Sequence, residues 1–452
     1  MLYIIGLYFQ RHKVLYGILL FTLLFLVGSS FLIQHVDLLD FDYGWVQWMK
    51  EYGLFRVYHM CDECVDRTCS SINYPPLYPA FLYLISGFVG DMHSYSAQFF
   101  IKLFPAVLFM VSQIWVYFKI SERAAVIWTF SLPFILNALC WGQRDIAFIF
   151  FMIVMFYNIE EDKPYGAAIW FTLACLLKPQ GVLLLPILLL YLFISRAKVK
   201  HKILSLLSGA GIGVLTFLPF MIAEKSIFTF FTPYFYCGAG ARINGMAPNI
   251  WFLFQGFIQD DQAGIVSMLF YFMFIISICI FIFYYYKTKN FMLSVTVYMF
   301  TYFMFNVGQT ERYSLYVVVC FFYMLYISKN RFSYNRDLIK SIYVKCYWSS
   351  FIAQLSKILF TNLIMFSYIR FGYFEKFGCL VLHQKSLENN AVLDALIQDQ
   401  KFSSLSNEFS LMSFVTLFVA VVLMIVAYYK FVKYAFDECF KLDCSNQIIK
   451  NN

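Results

Sequence analysis

Charged residues are scarce in this sequence: Asp, Glu, Lys and Arg make up 13% of its 452 residues, while 61% are hydrophobic and 21% aromatic. A soluble domain cannot keep that much apolar surface from water, so a free-standing globular protein is excluded. No stretch is polar enough to form a separate soluble domain, and no internal repeat is visible. Proline is uncommon too, with 11 residues, yet Pro75, Pro76 and Pro79 crowd into "NYPPLYPAFLYL" at 73–84. What fills the chain is a succession of apolar runs, many long enough for a hydrocarbon core, which takes roughly 17–25 residues per helix. The fold class is all-α, a polytopic transmembrane helical bundle.

The net charge of +8 does not indicate nucleic acid as a partner, because the basic residues sit in short loops between apolar runs, where they orient helices. They gather at 11–13, 196–202, 287–289 and 329–340. The positive-inside rule places all four on the cytoplasmic side, together with both chain ends. The first run, 14–34, follows Arg11, His12 and Lys13 as a signal peptide would. It lacks a following small-residue cleavage pattern and is read as a spanning helix.

Counting spans from those anchors puts the loop 35–76, "CWGQRD" at 140–145, "KPQ" at 178–180, the loop 223–250 and "QTER" at 309–312 together on the outer face. The run 165–196 is too long for one helix, and Lys178, Pro179 and Gln180 in its middle predict two short spans meeting at an outer-face break. Three runs, 77–90, 98–118 and 124–141, separate the first outer loop from 140–145. Only an even number of crossings returns the chain to the outer face, so the shortest, 77–90 at about 14 residues, is expected to be re-entrant or interfacial, the alternative being that 77–90 spans and one neighbour does not. Its prolines suit a helix start lining a cavity. The expected total is about 12 crossings plus this half-segment, within about 11–13.

The polar residues of the outer face are the candidate site. Phe41, Trp45, Trp48 and Tyr52 recur at helical spacing, an aromatic stripe suited to a helix in the membrane interface. Asp37, Asp40 and Asp42 stand at its start, either as an N-cap with solvated loop charges or as a carboxylate able to take a proton from a hydroxyl nucleophile. Arg144 and Asp145 lie at the mouth of a crossing. Lys178, flanked by "LACLL" and "PQGVLLLP", is costly in lipid unless it faces a polar cavity or snorkels to the edge. Glu311 and Arg312 form either a structural ion pair or a ligand-facing one. The glycine-rich "CGAGARINGMAPNIW" at 237–251, with Arg242 and Asn249, reads as an outer loop able to close over a site or as a plain connection.

In order, an outer-loop aspartate with "W…EYG" (48–53), "YPPLY" (74–78), "WGQRD" (141–145), "KPQ" (178–180), "PNIW" (248–251) and "TERY" (310–313) resembles bacterial membrane glycosyltransferases of the GT-C superfamily, particularly the mannosyltransferase-like members. The resemblance spans residues from about 37 to 330. It departs from the family at Thr310, where a histidine usually precedes "ERY", and it leaves Asp40 and Asp42 at slightly different offsets from Trp48, with Asp40 the first choice. The resemblance implies an inverting hexosyltransferase that uses a polyprenyl-phosphate-linked sugar as donor and a glycan or protein hydroxyl as acceptor on the outer face. It implies Asp40 or Asp42 as general base, with Lys178, Arg312, Arg144 and Arg242 around the phosphate. Asp145 and Glu311 would hold sugar hydroxyls or orient those cations. A lateral groove at Tyr74, Pro75 and Pro76 would leave the lipid tail in the bilayer. No cofactor is required by this chemistry, and a divalent ion at paired carboxylates stays open. A lipid-linked saccharide transporter or a polysaccharide polymerase or ligase are the competing readings.

His59, Cys61, Cys64 and Cys69 in "HMCDECVDRTC" admit disulfides, including ones to Cys237 or Cys379, free thiols, or zinc. The catalytic module is expected to be 1–340. Residues 341–452 then add helices at 351–370 and 409–430, an outer segment 371–408 that reads as a packed loop rather than a flap over the site, and a cytoplasmic tail.

Overall fold

The computed structural model describes residues 10–33, 38–58, 72–90, 94–235, 244–245, 247–254, 263–329, 334–370 and 400–450, and those residues form an all-helical bundle. Helix α1 (Lys13–Leu32) is followed by a π-helical turn (Leu38–Tyr43) that runs into α2 (Gly44–Tyr52), and α3 is the short Leu77–Ile85. Next come α4 (Tyr95–Lys119), α5 (Glu122–Thr129), α6 (Leu132–Ile135), α7 (Asp145–Glu160), α8 (Pro164–Leu177), α9 (Leu185–Ile194) and α10 (Val199–Ala223). The chain continues with α11 (Ala263–Thr288), α12 (Phe291–Phe305), α13 (Ser314–Phe322), α14 (Arg336–Arg370) and α15 (Gln400–Lys450). Several starts are set by side-chain caps: Ser94, Ser121 and Asn290 accept hydrogen bonds from the amides of Ala97, Ala124 and Leu293, satisfying donors that have no partner inside the helix.

Five described helices are long and apolar enough to cross a membrane: Lys13–Leu32, Tyr95–Lys119, Val199–Ala223, Gly264–Thr288 and Phe414–Cys439. Only 17% of the most apolar 18-residue stretch of Gly264–Thr288 is buried inside the protein, and its outward side carries Met268, Phe272 and Ile275. An apolar face left open in this way needs lipid rather than water beside it. The chain is a multi-pass membrane protein.

The run 165–196 does break at Lys178, which separates α8 from a 3-10 turn (Pro179–Leu184) that leads into α9. Gly181 is forced there by close approach: a Cβ on it would lie 2.5 Å from the Cys175 backbone. The run 77–90 is likewise a short apolar helix, Leu77–Phe88. The expected single run at 124–141 is instead two helices bent by 58°, Glu122–Thr129 and Leu132–Trp141. Pro133 explains the bend, since Ser131 sits in extended backbone just before the proline turn, where the ring excludes a continuing helix. The aromatic stripe turns inward more than expected: Trp45 and Trp48 are buried, while Phe41 and Tyr52 stay partly exposed.

At the centre, α7, α12 and α13 are buried along nearly their whole length. Helix α7 is 16 residues long, so its ends lie about 24 Å apart. At its C-terminal end, Glu160 accepts hydrogen bonds from Ser328 Oγ at 2.6 Å, Tyr323 Oη at 3.1 Å and the Lys329 amide at 3.1 Å. Lys329 Nζ lies 2.9 Å from Glu161, and its hydrogen bond holds that carboxyl below the usual range. Arg196 and Lys329 share a pocket with Glu160 and Asp162 at this end. Asp145 begins the helix at the other.

Candidate functional site

Around the Asp145 end of α7, a polar cavity of about 270 Å³ is lined by Phe41, Trp45, Asn73, Tyr74, Trp141, Gln143, Arg144, Pro179, Gln180, Thr310, Glu311, Arg312, Tyr313 and Lys357. Its walls come from segments scattered over more than 300 residues of chain. The volume lies near the lower end of small-ligand pockets, roughly 300–1,000 Å³.

Two ion-paired clusters stand behind its walls. In the first, Arg144 Nη1 meets Asp42 Oδ2 at 2.8 Å, with side chains 3% and 0% exposed. The Arg144 guanidinium also lies 4.3 Å from the centre of the Tyr74 ring and 4.2 Å from that of Tyr78, a cation–π clamp that is strong where water is excluded. In the second, Lys178 Nζ is paired with Asp145 Oδ1. Tyr316 Oη donates to the same oxygen at 2.8 Å, and Arg312 Nε lies 3.8 Å from Asp145 Oδ2. Asp145 occupies the first turn of α7, where the helix dipole favours a carboxylate. The Tyr313 ring stacks on Tyr316 with centroids 5.4 Å apart, sits 4.8 Å from Lys178 Nζ and receives a 2.7 Å hydrogen bond from Gln180 at its hydroxyl. Lys178 therefore neither faces lipid nor snorkels.

The turn that presents Arg144 is set by Gly142. Its φ of +74° is left-handed, and a Cβ there would lie 2.9 Å from Lys102 Cγ and 3.3 Å from Leu38. Lys102 is itself fully buried, donating to the carbonyls of Ser29 at 3.1 Å and Ile33 at 2.6 Å. A cation so placed satisfies the C-terminal carbonyls of α1, and it fixes the point from which the chain leaves toward Asp42.

Of the sequence-derived candidates, Tyr74, Arg144, Glu311 and Arg312 line the cavity, and Asp42, Asp145 and Lys178 back it through the pairs just described. Pro75 and Pro76 are buried, as is Tyr74. The side chain of Asp40, Arg242, the set His59, Cys61, Cys64 and Cys69, Cys237, Cys379 and the segment 371–399 lie outside the described residues. Asn249 is an anchor: its side-chain amide donates to the carbonyls of Phe303 at 3.1 Å and Asn306 at 3.3 Å, and Trp251 donates to that of Phe305 at 2.6 Å. A two-residue parallel pairing of Asn244–Gly245 with Gln309–Thr310 joins that loop to "TERY". Among the described residues, no three His, Cys, Asp or Glu side chains gather as a metal set.

Sequence reasoning missed Tyr316, three positions after Tyr313 and so on the same helical face, and Lys357, which comes from α14 beyond the expected catalytic module. Position 340 falls inside α14. It also missed a second, apolar cavity of about 500 Å³ between α8 and α10, lined by Phe171, Cys175, Val182, Gly209, Gly213 and Phe230 among others.

No protein-family model matches the chain, and no curated protein matches it.

Proposed function

We propose that this protein is a membrane glycosyltransferase of the GT-C type, moving a sugar from a polyprenyl-phosphate donor to an acceptor hydroxyl at the polar cavity. The observation that carries this reading is the convergence of Tyr74, Trp141, Arg144, Gln180, Glu311 and Arg312, from four separate motifs, on one cavity. The charges fit the chemistry. Around the cavity the described cations Arg144, Lys178, Arg312 and Lys357 outnumber the carboxylates Asp42, Asp145 and Glu311 by one, which favours an anionic ligand.

In the reaction, the acceptor oxygen attacks the anomeric carbon as the bond from that carbon to the phosphate oxygen breaks. The electron pair leaves on the lipid phosphate, and the acceptor's proton passes to a carboxylate. Asp42 is committed to Arg144, so Asp40 is assigned the base. Arg312 and Arg144 face the developing phosphate charge, and Asp145 with Tyr316 holds Lys178 and Arg312 in place. The apolar cavity takes the start of the polyprenyl chain: Cys175 and Val182 on its wall flank the same break that presents Pro179 and Gln180 to the polar cavity.

Such an enzyme has about 12 crossings here, the five long helices, the bent pair, α7, α8, α9, α12, α13 and α14, with the short Leu77–Phe88 as the half-segment. The basic loops near Arg196 and Lys329 lie at the far end of α7 from the cavity, which supports an outer-face site under the positive-inside rule.

The test is transfer by purified protein in nanodiscs, with a panel of radiolabelled polyprenyl-phosphate sugars and membrane acceptors. Turnover of one donor, lost in Asp40→Asn, is the expected result. No turnover with any donor, together with movement of labelled lipid between leaflets, would favour a transporter instead.

A further inference from the structure

Helix α14 lies outside the segment that resembles the glycosyltransferases, yet one of its faces is fitted to the site. Ser350, Gln354 and Lys357 recur at helical spacing. The Ser350 hydroxyl lies 2.8 Å from that of Ser314, directly after "TERY", and Gln354 Nε2 donates to Ser350 at 3.1 Å. Ser314 in turn donates to the Glu311 carbonyl at 2.5 Å. One residue past Lys357, Ile358 is buried against Cys140 and Trp141, the residues that open the "WGQRD" turn. Serine and glutamine contacts on one side and an apolar contact on the other fix the rotation and height of the helix. They leave Lys357 half-buried in the cavity wall, in company with Arg144 and Arg312.

We infer that Lys357 is a substrate-binding residue, the cation that α14 adds to the cradle for the phosphate of the lipid carrier; this rests on the reading of the cavity as a polyprenyl-phosphate site. The neighbouring carboxylates explain why a further cation is useful. Asp42 answers Arg144, Asp145 answers Lys178 and stands near Arg312, and Glu311 lines the same cavity. A phosphate monoester carries up to two negative charges, more than those partly answered cations supply. A lysine is a compact charge on a flexible stem, able to follow the phosphate as it leaves the sugar. The C-terminal helices are thereby part of the site rather than an appendage to it.

The test measures equilibrium binding of a long-chain polyprenyl monophosphate, the reaction's lipid product, to protein in nanodiscs, alongside thermal unfolding of each variant. Lys357→Gln is expected to weaken binding about tenfold or more, as for loss of a charge-assisted phosphate contact. Lys357→Arg should restore it to within a few-fold, and neither variant should unfold earlier than wild type. Binding by Lys357→Gln equal to wild type overturns the inference and leaves the functional reading standing. Failure of the wild type itself to bind overturns that reading and the inference with it. A loss in Lys357→Gln that tracks lowered thermal stability and is not restored in Lys357→Arg assigns the residue to packing and also overturns the inference.

Discussion

Asp42 Oδ2 and Arg144 Nη1 meet at 2.8 Å across 102 residues of sequence, with side chains 0% and 3% exposed. The pair ties the segment after α1 to the turn before α7. Removing one partner leaves an uncompensated buried charge, which costs about 3–5 kcal/mol. Asp42→Ala should therefore lower the unfolding temperature in detergent markedly, and adding Arg144→Met should recover much of the loss. An unchanged melting temperature in Asp42→Ala would show that the pair is not formed.

The Tyr316 hydroxyl is one of the donors that fix Asp145. Tyr316→Phe removes one hydrogen bond to a charged group, worth about 1.5–3 kcal/mol. If Asp145 orients Lys178 and Arg312 toward the phosphate, transfer should fall roughly ten- to a hundredfold, by the same free energy, with the donor KM little changed. Full activity in this variant would exclude a positioning role for the tyrosine.

Gly142 tolerates no side chain on two counts, its positive φ and the nearby Lys102 stem. Gly142→Ala should destabilise by about 1–3 kcal/mol, the usual cost of a strained backbone position. It should also displace Arg144, so a Lys102→Met change would not relieve the strain at φ.

Much of this architecture is legible in the sequence, for a physical reason. In a chain this apolar, a lysine followed by proline stands out, and "LLKPQG" announces the α8–α9 break without any knowledge of its neighbours. The same scarcity of charge marks Arg144, Asp145, Glu311 and Arg312. Which of these meet is not written locally: the Asp42–Arg144 and Asp145–Lys178 pairs join positions 102 and 33 residues apart. Lys357 escapes notice for the opposite reason, since serine, glutamine and lysine are ordinary in "SSFIAQLSKIL" and only the docking of α14 on Trp141 gives the lysine a place. The bend before Pro133 was available from the proline itself, but the apolar run across it concealed the break.

Gly213 borders the apolar cavity, and a Cβ on it would meet nothing nearer than Thr172 Cγ2 at 3.9 Å. Gly213→Leu should fill the cavity without disturbing the helix. If the lipid chain occupies that space, the variant should raise the KM of a long-chain donor several-fold, since each buried methylene is worth about 0.8 kcal/mol. It should leave a donor that carries a methyl group in place of the chain unaffected. Equal effects on both donors would place the chain elsewhere.

Lys198 and Lys225 are exposed at the two ends of α10. With the basic loops in the cytoplasm, a cysteine at 225 should react with a membrane-impermeant maleimide on intact cells, and one at 198 only after permeabilisation, each read as the increment over wild type. The reverse pattern would put the cavity on the cytoplasmic side and contradict the use of an outer-face donor.

The central claim is that the cavity at the Asp145 end of α7 holds the phosphate of a lipid carrier. The most direct measurement is an electron cryo-microscopy map of the protein in nanodiscs with a long-chain polyprenyl monophosphate. Density for the phosphate among Arg144, Arg312 and Lys357, continuing as a chain toward the α8–α10 cavity, is the expected result. An empty cavity with the lipid phosphate bound elsewhere on the protein would contradict the account.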